Sequence, residues 1–101
     1  MDASVEQKID QIQVVLSKLP VKSAYLFGSA VNGTYGSTSD IDFFINLDSN
    51  IPISERHQVL EALRQQLATA TGRHADVVTR EMIHNPYVKE EVICTAVKIY
   101  G

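Results

Sequence analysis

The residues best equipped for chemistry lie between Leu26 and Ile45, in the run LFGSAVNGTYGSTSDIDFFI. An apolar segment, Ala24 to Phe27, stops at Gly28-Ser29. A polar, glycine-containing loop follows, and a second apolar segment, Ile41 to Ile45, carries Asp40 and Asp42 at its start. In a strand, residues i and i+2 share a face. Asp40 and Asp42 are therefore expected to point the same way, about 6.6 Å apart along the strand. That is close enough for two carboxylates to converge on one or two divalent cations. Hard cations such as Mg2+ take oxygen ligands and typically use one or two carboxylates plus substrate phosphates. Gly28-Ser29, at a strand end and a helix start, is suited to hold such phosphates. These types and this spacing predict a nucleotide-handling site. The plainer alternatives are Gly28 as a turn glycine, Ser29 as a helix cap and Asp40 as a turn residue. Asp42 has the weakest plain alternative, because an unpaired carboxylate inside an apolar strand is costly.

The elements that must position these groups can be read from periodicity. Ser4 to Leu19 has apolar residues at Val5, Ile9, Ile12, Leu16 and Leu19, which predicts an amphipathic helix stopped by Pro20. Lys22 to Phe27 reads as a strand. Ser29 to Asn32 fits one helical turn closed by Gly33, and Asp40 to Leu47 is a second strand. Pro52 to Ala70 is a second long helix, with Ile53, His57, Leu60, Leu63, Leu67 and Ala70 on the helical period and Gly72 as terminator. His74 to Thr79 alternates as a third strand. Asn85-Pro86 opens a helix to about Cys94 with Val88 and Val92 inward, and Val97 to Tyr100 is a last short strand. The order α-β-β-α-β-α-β predicts an α/β fold with a small sheet of three to four strands packed with helices. The link from Phe27 to Asp40 is too short for a helical crossover, so these two strands are expected to be antiparallel and the sheet mixed.

Length and composition narrow the function classes. The chain has 101 residues, room for a single domain over 1–101, which buries roughly 65% of its unfolded surface. Its net charge is −3 and its nine basic residues are scattered singly, so nucleic acid is disfavoured as the main partner. No apolar run approaches the roughly 20 residues that span a bilayer, and no signal peptide is visible. The single Cys94 fits a reducing cytosol, so a cytoplasmic location is expected. Without paired His or Cys spacing, a zinc site is disfavoured.

The Gly28-Ser29 pair, the ten residues Ala30 to Ser39 and the Asp40-x-Asp42 pair form a strand–turn–strand pattern. It resembles the signature of the polymerase-β-like nucleotidyltransferases. In length the chain resembles their minimal nucleotidyltransferase (MNT) group, small bacterial and archaeal proteins often paired as antitoxin with a helical HEPN-domain RNase toxin. The resemblance covers most of the chain, including the acidic third strand His74-Ala75-Asp76-Val77-Val78 and the ending NPYVKEEVICTAVKIYG. It implies that Gly28 lets the backbone approach a triphosphate and that Ser29 donates its hydroxyl and amide to the β/γ phosphates. It implies that Asp40 and Asp42 ligate two Mg2+ ions. Asp76 would be the third carboxylate, holding the catalytic metal and helping to deprotonate the attacking hydroxyl. The implied reaction is in-line attack of an acceptor hydroxyl on the α-phosphorus of a nucleotide, with ATP the expected one, releasing pyrophosphate. Two metals would stabilise the entering and leaving oxygens. With no acceptor domain in the chain, the acceptor is expected to be a hydroxyl of a partner. The resemblance implies a tyrosine of a HEPN toxin, silenced by the charge and bulk of the added AMP.

One departure stands out. Many relatives carry arginines after the Gly-Ser pair, whereas here the turn reads Ala30-Val31-Asn32-Gly33 without a cation. A charged hydrogen bond contributes roughly 1.5–3 kcal/mol, so its loss weakens nucleotide binding about tenfold to a hundredfold. Lys22, Arg73 and Arg80 are the candidate replacements, and Asp48 and Glu81 are the other candidates for a third carboxylate. His57 reads as a packed or boundary histidine. His74 shares a face with Asp76 but reads first as an ordinary exposed residue, while His84 reads as loop. Tyr35 reads first as a plain loop tyrosine, with stacking on a base or self-modification as the functional alternatives. Two other functions fit the sequence. One is a binding module that neutralises its partner by contact alone, and the other is transfer to a small molecule.

Overall fold

The computed structural model describes residues 3–28, 40–82, 86–87, 90 and 96–101. Its elements are α1 (Ala3–Glu6), α2 (Ile9–Ser17), β1 (Val21–Phe27), β2 (Ile41–Leu47), α3 (Ile53–Thr71), β3 (Ala75–Val78), a short 3-10 turn (Arg80–Met82) and β4 (Val97–Tyr100). The four strands form one mixed sheet in the order β3-β2-β1-β4. β1 pairs antiparallel with β2, as expected, and also with β4, while β2 and β3 run parallel. This is the mixed α/β architecture expected from the sequence.

Alternation along the strands sorts the residues into two faces. Val21, Ala24 and Leu26 of β1 and Ile41, Phe43 and Ile45 of β2 are buried, and they join Ile12 and Leu16 of α2 and Leu63 and Leu67 of α3 in the core. The other face carries Asp42, Phe44 and Asn46. There Tyr25 meets Phe44 edge to face, with centroids 6.1 Å apart, and Asn46 donates from Nδ2 to Ser23 Oγ at 2.8 Å. Asp42 therefore stands on the side of the sheet away from the core helices.

The first helix differs from expectation. In place of one helix over 4–19 there are two, broken at Gln7-Lys8. Lys8 donates from Nζ to the carbonyl of Thr71, the last residue of α3. A cation there satisfies a free carbonyl at the negative end of the helix dipole. Gly72 closes α3 as expected, in the left-handed region at φ 70°, with its N–H donating to the Ala68 carbonyl at 2.8 Å. The apolar period along α3 is real, but burial begins only at Leu63. Ile53 and His57 are exposed, correcting the reading of His57 as a packed or boundary residue, because the first turns of α3 line an open groove with Arg56, Leu60, Arg80 and Met82. Pro86, Tyr87 and Glu90 are helical. The expected helical turn over 29–32, and Val88, Val92, Cys94, Tyr35 and His84, lie outside the described residues.

Candidate active site

Strand direction decides which residues can meet. β1 runs antiparallel to β2, so its end lies beside the start of β2, where Phe27 pairs with Asp42. β3 runs parallel to β2, and its start lies at the same place, where Ala75 pairs with Ile41 and Asp76 with Asp42. Gly28, Asp40, Asp42 and Asp76 thus gather at one end of three adjacent strands. Ser29 lies outside the described residues.

Gly28 has φ 75°, a left-handed conformation that suits glycine. A side chain at this position would place its Cβ 2.4 Å from Asp42 Oδ2 and 3.3 Å from Asp42 Cγ. The space a side chain would occupy is already filled by the Asp42 carboxylate. Asp40 lies just before β2, not within it, and is exposed. The ladder to β3 begins one residue later, with Ile41 N–H donating to the His74 carbonyl at 3.0 Å.

The electrostatics concentrate on Asp42. Its carboxyl is pushed above the ordinary aspartate value, first by burial and then by the negative charges of Asp76 and Asp40. Like charges held this close repel, and a cation is the usual way to neutralise them. A donor set of carboxylate oxygens is also what a hard divalent ion accepts. The residues present therefore fit such an ion. Asp40 and Asp76 together with His74 offer one ligand atom each, all within 4.8 Å of one another. Asp42 stands outside that set, although it feels both of its carboxylates.

His74 is the residue that the sequence undervalued. Its side chain is exposed, as expected, yet its Nδ1 lies 3.4 Å from Asp40 Oδ2. Its position two residues before Asp76 was the available signal. Other candidates fall away by position. Asp48 follows the far end of β2, six residues and roughly 20 Å along the strand from Asp42. Lys22 sits at the start of β1, and Arg80 follows the end of β3, both at that far end too. Of the three candidate cations, only Arg73, next to His74, sits at the end where the carboxylates gather. The side chain of Glu81 lies outside the described residues.

Comparison with known proteins bears on the family and the fold. The nucleotidyltransferase domain family model matches residues 9–99. A Methanocaldococcus jannaschii protein named putative protein adenylyltransferase MJ1379 is 38% identical over 82 residues, covering 79% of this chain and 78% of that protein. In fold, the chain is similar to a toxin-antitoxin crystal structure with AMP-PNP, at a TM-score of 0.69 and 24% identity over 95% of this chain and 73% of that one. It is likewise similar to a structure of tri-AMPylated Shewanella oneidensis HEPN toxin in complex with MNT antitoxin, at a TM-score of 0.62 and 21% identity over 95% of this chain and 71% of that one. Among the described residues no helix is long and apolar enough to cross a membrane. The motif, the mixed sheet and the matched family model together identify the chain as a member of the nucleotidyltransferase domain family.

Proposed function

We propose that the chain is a Mg2+-dependent, cytoplasmic, single-domain enzyme that transfers AMP from ATP to a hydroxyl of a protein partner, as the antitoxin of a HEPN-type RNase toxin. The observation that carries the reading is the pairing of Asp42 with Asp76, beside Asp40, at the strand end where Gly28 leaves room for the Asp42 carboxylate. The names of the similar proteins support protein adenylylation and the toxin partner.

In this reading Asp40, Asp42 and Asp76 hold the cations. When bound, those ions neutralise the carboxylates and stabilise charge on the entering and leaving oxygens. Gly28 and Ser29 hold the triphosphate through backbone N–H groups and the Ser29 hydroxyl. An Asp76 carboxylate oxygen takes the proton of the acceptor hydroxyl. The freed oxygen forms a bond to the α-phosphorus as the bond to the pyrophosphate oxygen breaks. The partner supplies the acceptor and is left with a bulky anionic group.

The experiment is mass spectrometry of a HEPN-type partner incubated with the chain, ATP and Mg2+. The expected result is a gain of one or more AMP units on the partner. An unmodified partner in a stable, catalytically competent mixture contradicts the reading. The run Ala30-Val31-Asn32, which carries no cation, favours one second reading, neutralisation by contact alone. Under it, a variant with both Asp40→Asn and Asp42→Asn still suppresses the toxin while leaving it unmodified.

A further inference from the structure

His74 sits immediately before β3, and its backbone carbonyl accepts the bond that opens the β2–β3 ladder. Carried back one residue, the parallel register that pairs Ile41 with Ala75 sets His74 beside Asp40. The imidazole is not there for packing, since its side chain is 63% exposed. Nor is its contact with Asp40 a useful source of stability, because exposed ion pairs contribute little. What the position does provide is a nitrogen donor. Nδ1 lies 3.4 Å from Asp40 Oδ2, and His74, Asp40 and Asp76 present ligand atoms within 4.8 Å of one another. An octahedral ion with ligands at about 2.1 Å separates adjacent ligands by about 3.0 Å and opposite ones by about 4.2 Å. The 3.4 Å between Nδ1 and Asp40 Oδ2 is slightly wider than the adjacent-ligand distance, and the whole set lies within 4.8 Å.

We propose that His74 is a metal ligand alongside Asp40 and Asp76, and that its nitrogen shifts the preference of this site from Mg2+ toward Mn2+ and the later first-row divalent ions. Mg2+ keeps oxygen ligands and water, whereas first-row ions accept imidazole with affinity rising along the Irving–Williams order. An all-carboxylate site follows the same order less steeply. The inference rests on the metal-dependent reading above and adds to it the identity of one ligand and of the preferred ion.

The test uses the full chain carrying 15N-labelled histidine, loaded with Mn2+ and an α,β-methylene ATP analogue. Pulsed electron–nuclear double resonance then reports nitrogen bound directly to the manganese. The expected result is a strong 15N coupling in the parent protein that is absent from His74→Ala and His74→Gln. In the same samples, the Mg2+ concentration that displaces half of the Mn2+ is expected to fall roughly tenfold on either substitution. Bound Mn2+ without 15N coupling in the parent protein overturns the inference and leaves the metal-dependent reading standing, as it would if His74 merely oriented Asp40. A coupling that survives in either folded variant overturns it too. Failure of Mn2+ to bind the parent protein at all overturns both.

Discussion

Replacing Gly28 by alanine separates the contribution of one missing side chain to the site from its contribution to the fold. The new Cβ would stand 2.4 Å from Asp42 Oδ2. Ordinary contact begins near 3.4 Å, so the carboxylate must move by about 1 Å. A misplacement of that size at a reacting site costs on the order of a hundredfold in rate, or about 2.7 kcal/mol of barrier. The backbone adds a separate cost, because φ at Gly28 is 75° and an L-residue in that region loses about 1–2 kcal/mol. For a domain of this size that lowers the melting temperature by about 4–16 °C. Gly72→Ala is the matched control. Its φ is 70°, yet an added Cβ meets only Lys8 Nζ at 3.8 Å. It should show a similar loss of stability with transfer retained within about twofold. The assay is the initial rate of label transfer from α-labelled ATP well below both melting points, alongside melting curves. A folded Gly28→Ala protein that transfers at the parent rate, or a Gly72→Ala protein that loses as much activity, refutes the reasoning.

Three further outcomes are expected. Asp42 has a folded pKa raised by burial, Asp76 and Asp40, so the native state binds its proton more readily than the unfolded chain. In metal-free protein its charge therefore destabilises the fold above the raised pKa, and the penalty fades as pH falls through that value toward the ordinary one near 3.9. Asp42→Asn should accordingly raise the melting temperature in EDTA at neutral pH, with a gain that shrinks on acidification; a lowered melting temperature would contradict this. Lys8→Met removes the cap on the Thr71 carbonyl and should lower stability by about 1 kcal/mol in a denaturant titration, with no change in transfer. Phe43, fully buried in β2, should cost about 3–5 kcal/mol as Phe43→Ala, a large share of the stability of a small domain, read as a lower denaturant midpoint.

Much of the architecture is legible in local pattern. β4 over Val97–Tyr100, the stop at Gly72 and the antiparallel β1–β2 pair all follow from alternation, glycine chemistry and loop length. What local pattern misses is tertiary. The break at Lys8 answers to Thr71, 63 residues away, and no periodicity within 4–19 encodes that partner. The apolar stripe of α3 continues through Ile53 and His57, but a stripe does not say where the sheet beneath it ends. At the site, the alternation that places Asp42 opposite the core is visible in IDFFI. The elimination of Lys22, Arg80 and Asp48 is not, because it depends on which end of each strand faces the carboxylates. His74 needed the parallel register of β2 with β3 before its distance to Asp40 had any meaning.

The central claim is that the carboxylates at the start of β2 and β3 support transfer of the α-phosphoryl unit. The most direct measurement pairs α-labelled with γ-labelled ATP, with a HEPN-type partner and Mg2+ present. The parent protein and the Asp40→Asn/Asp42→Asn double variant are compared. The account predicts that the α label enters the partner while the γ label leaves as pyrophosphate. It also predicts that the folded double variant transfers neither. Entry of the γ label, or undiminished α-label transfer by the double variant, would contradict it.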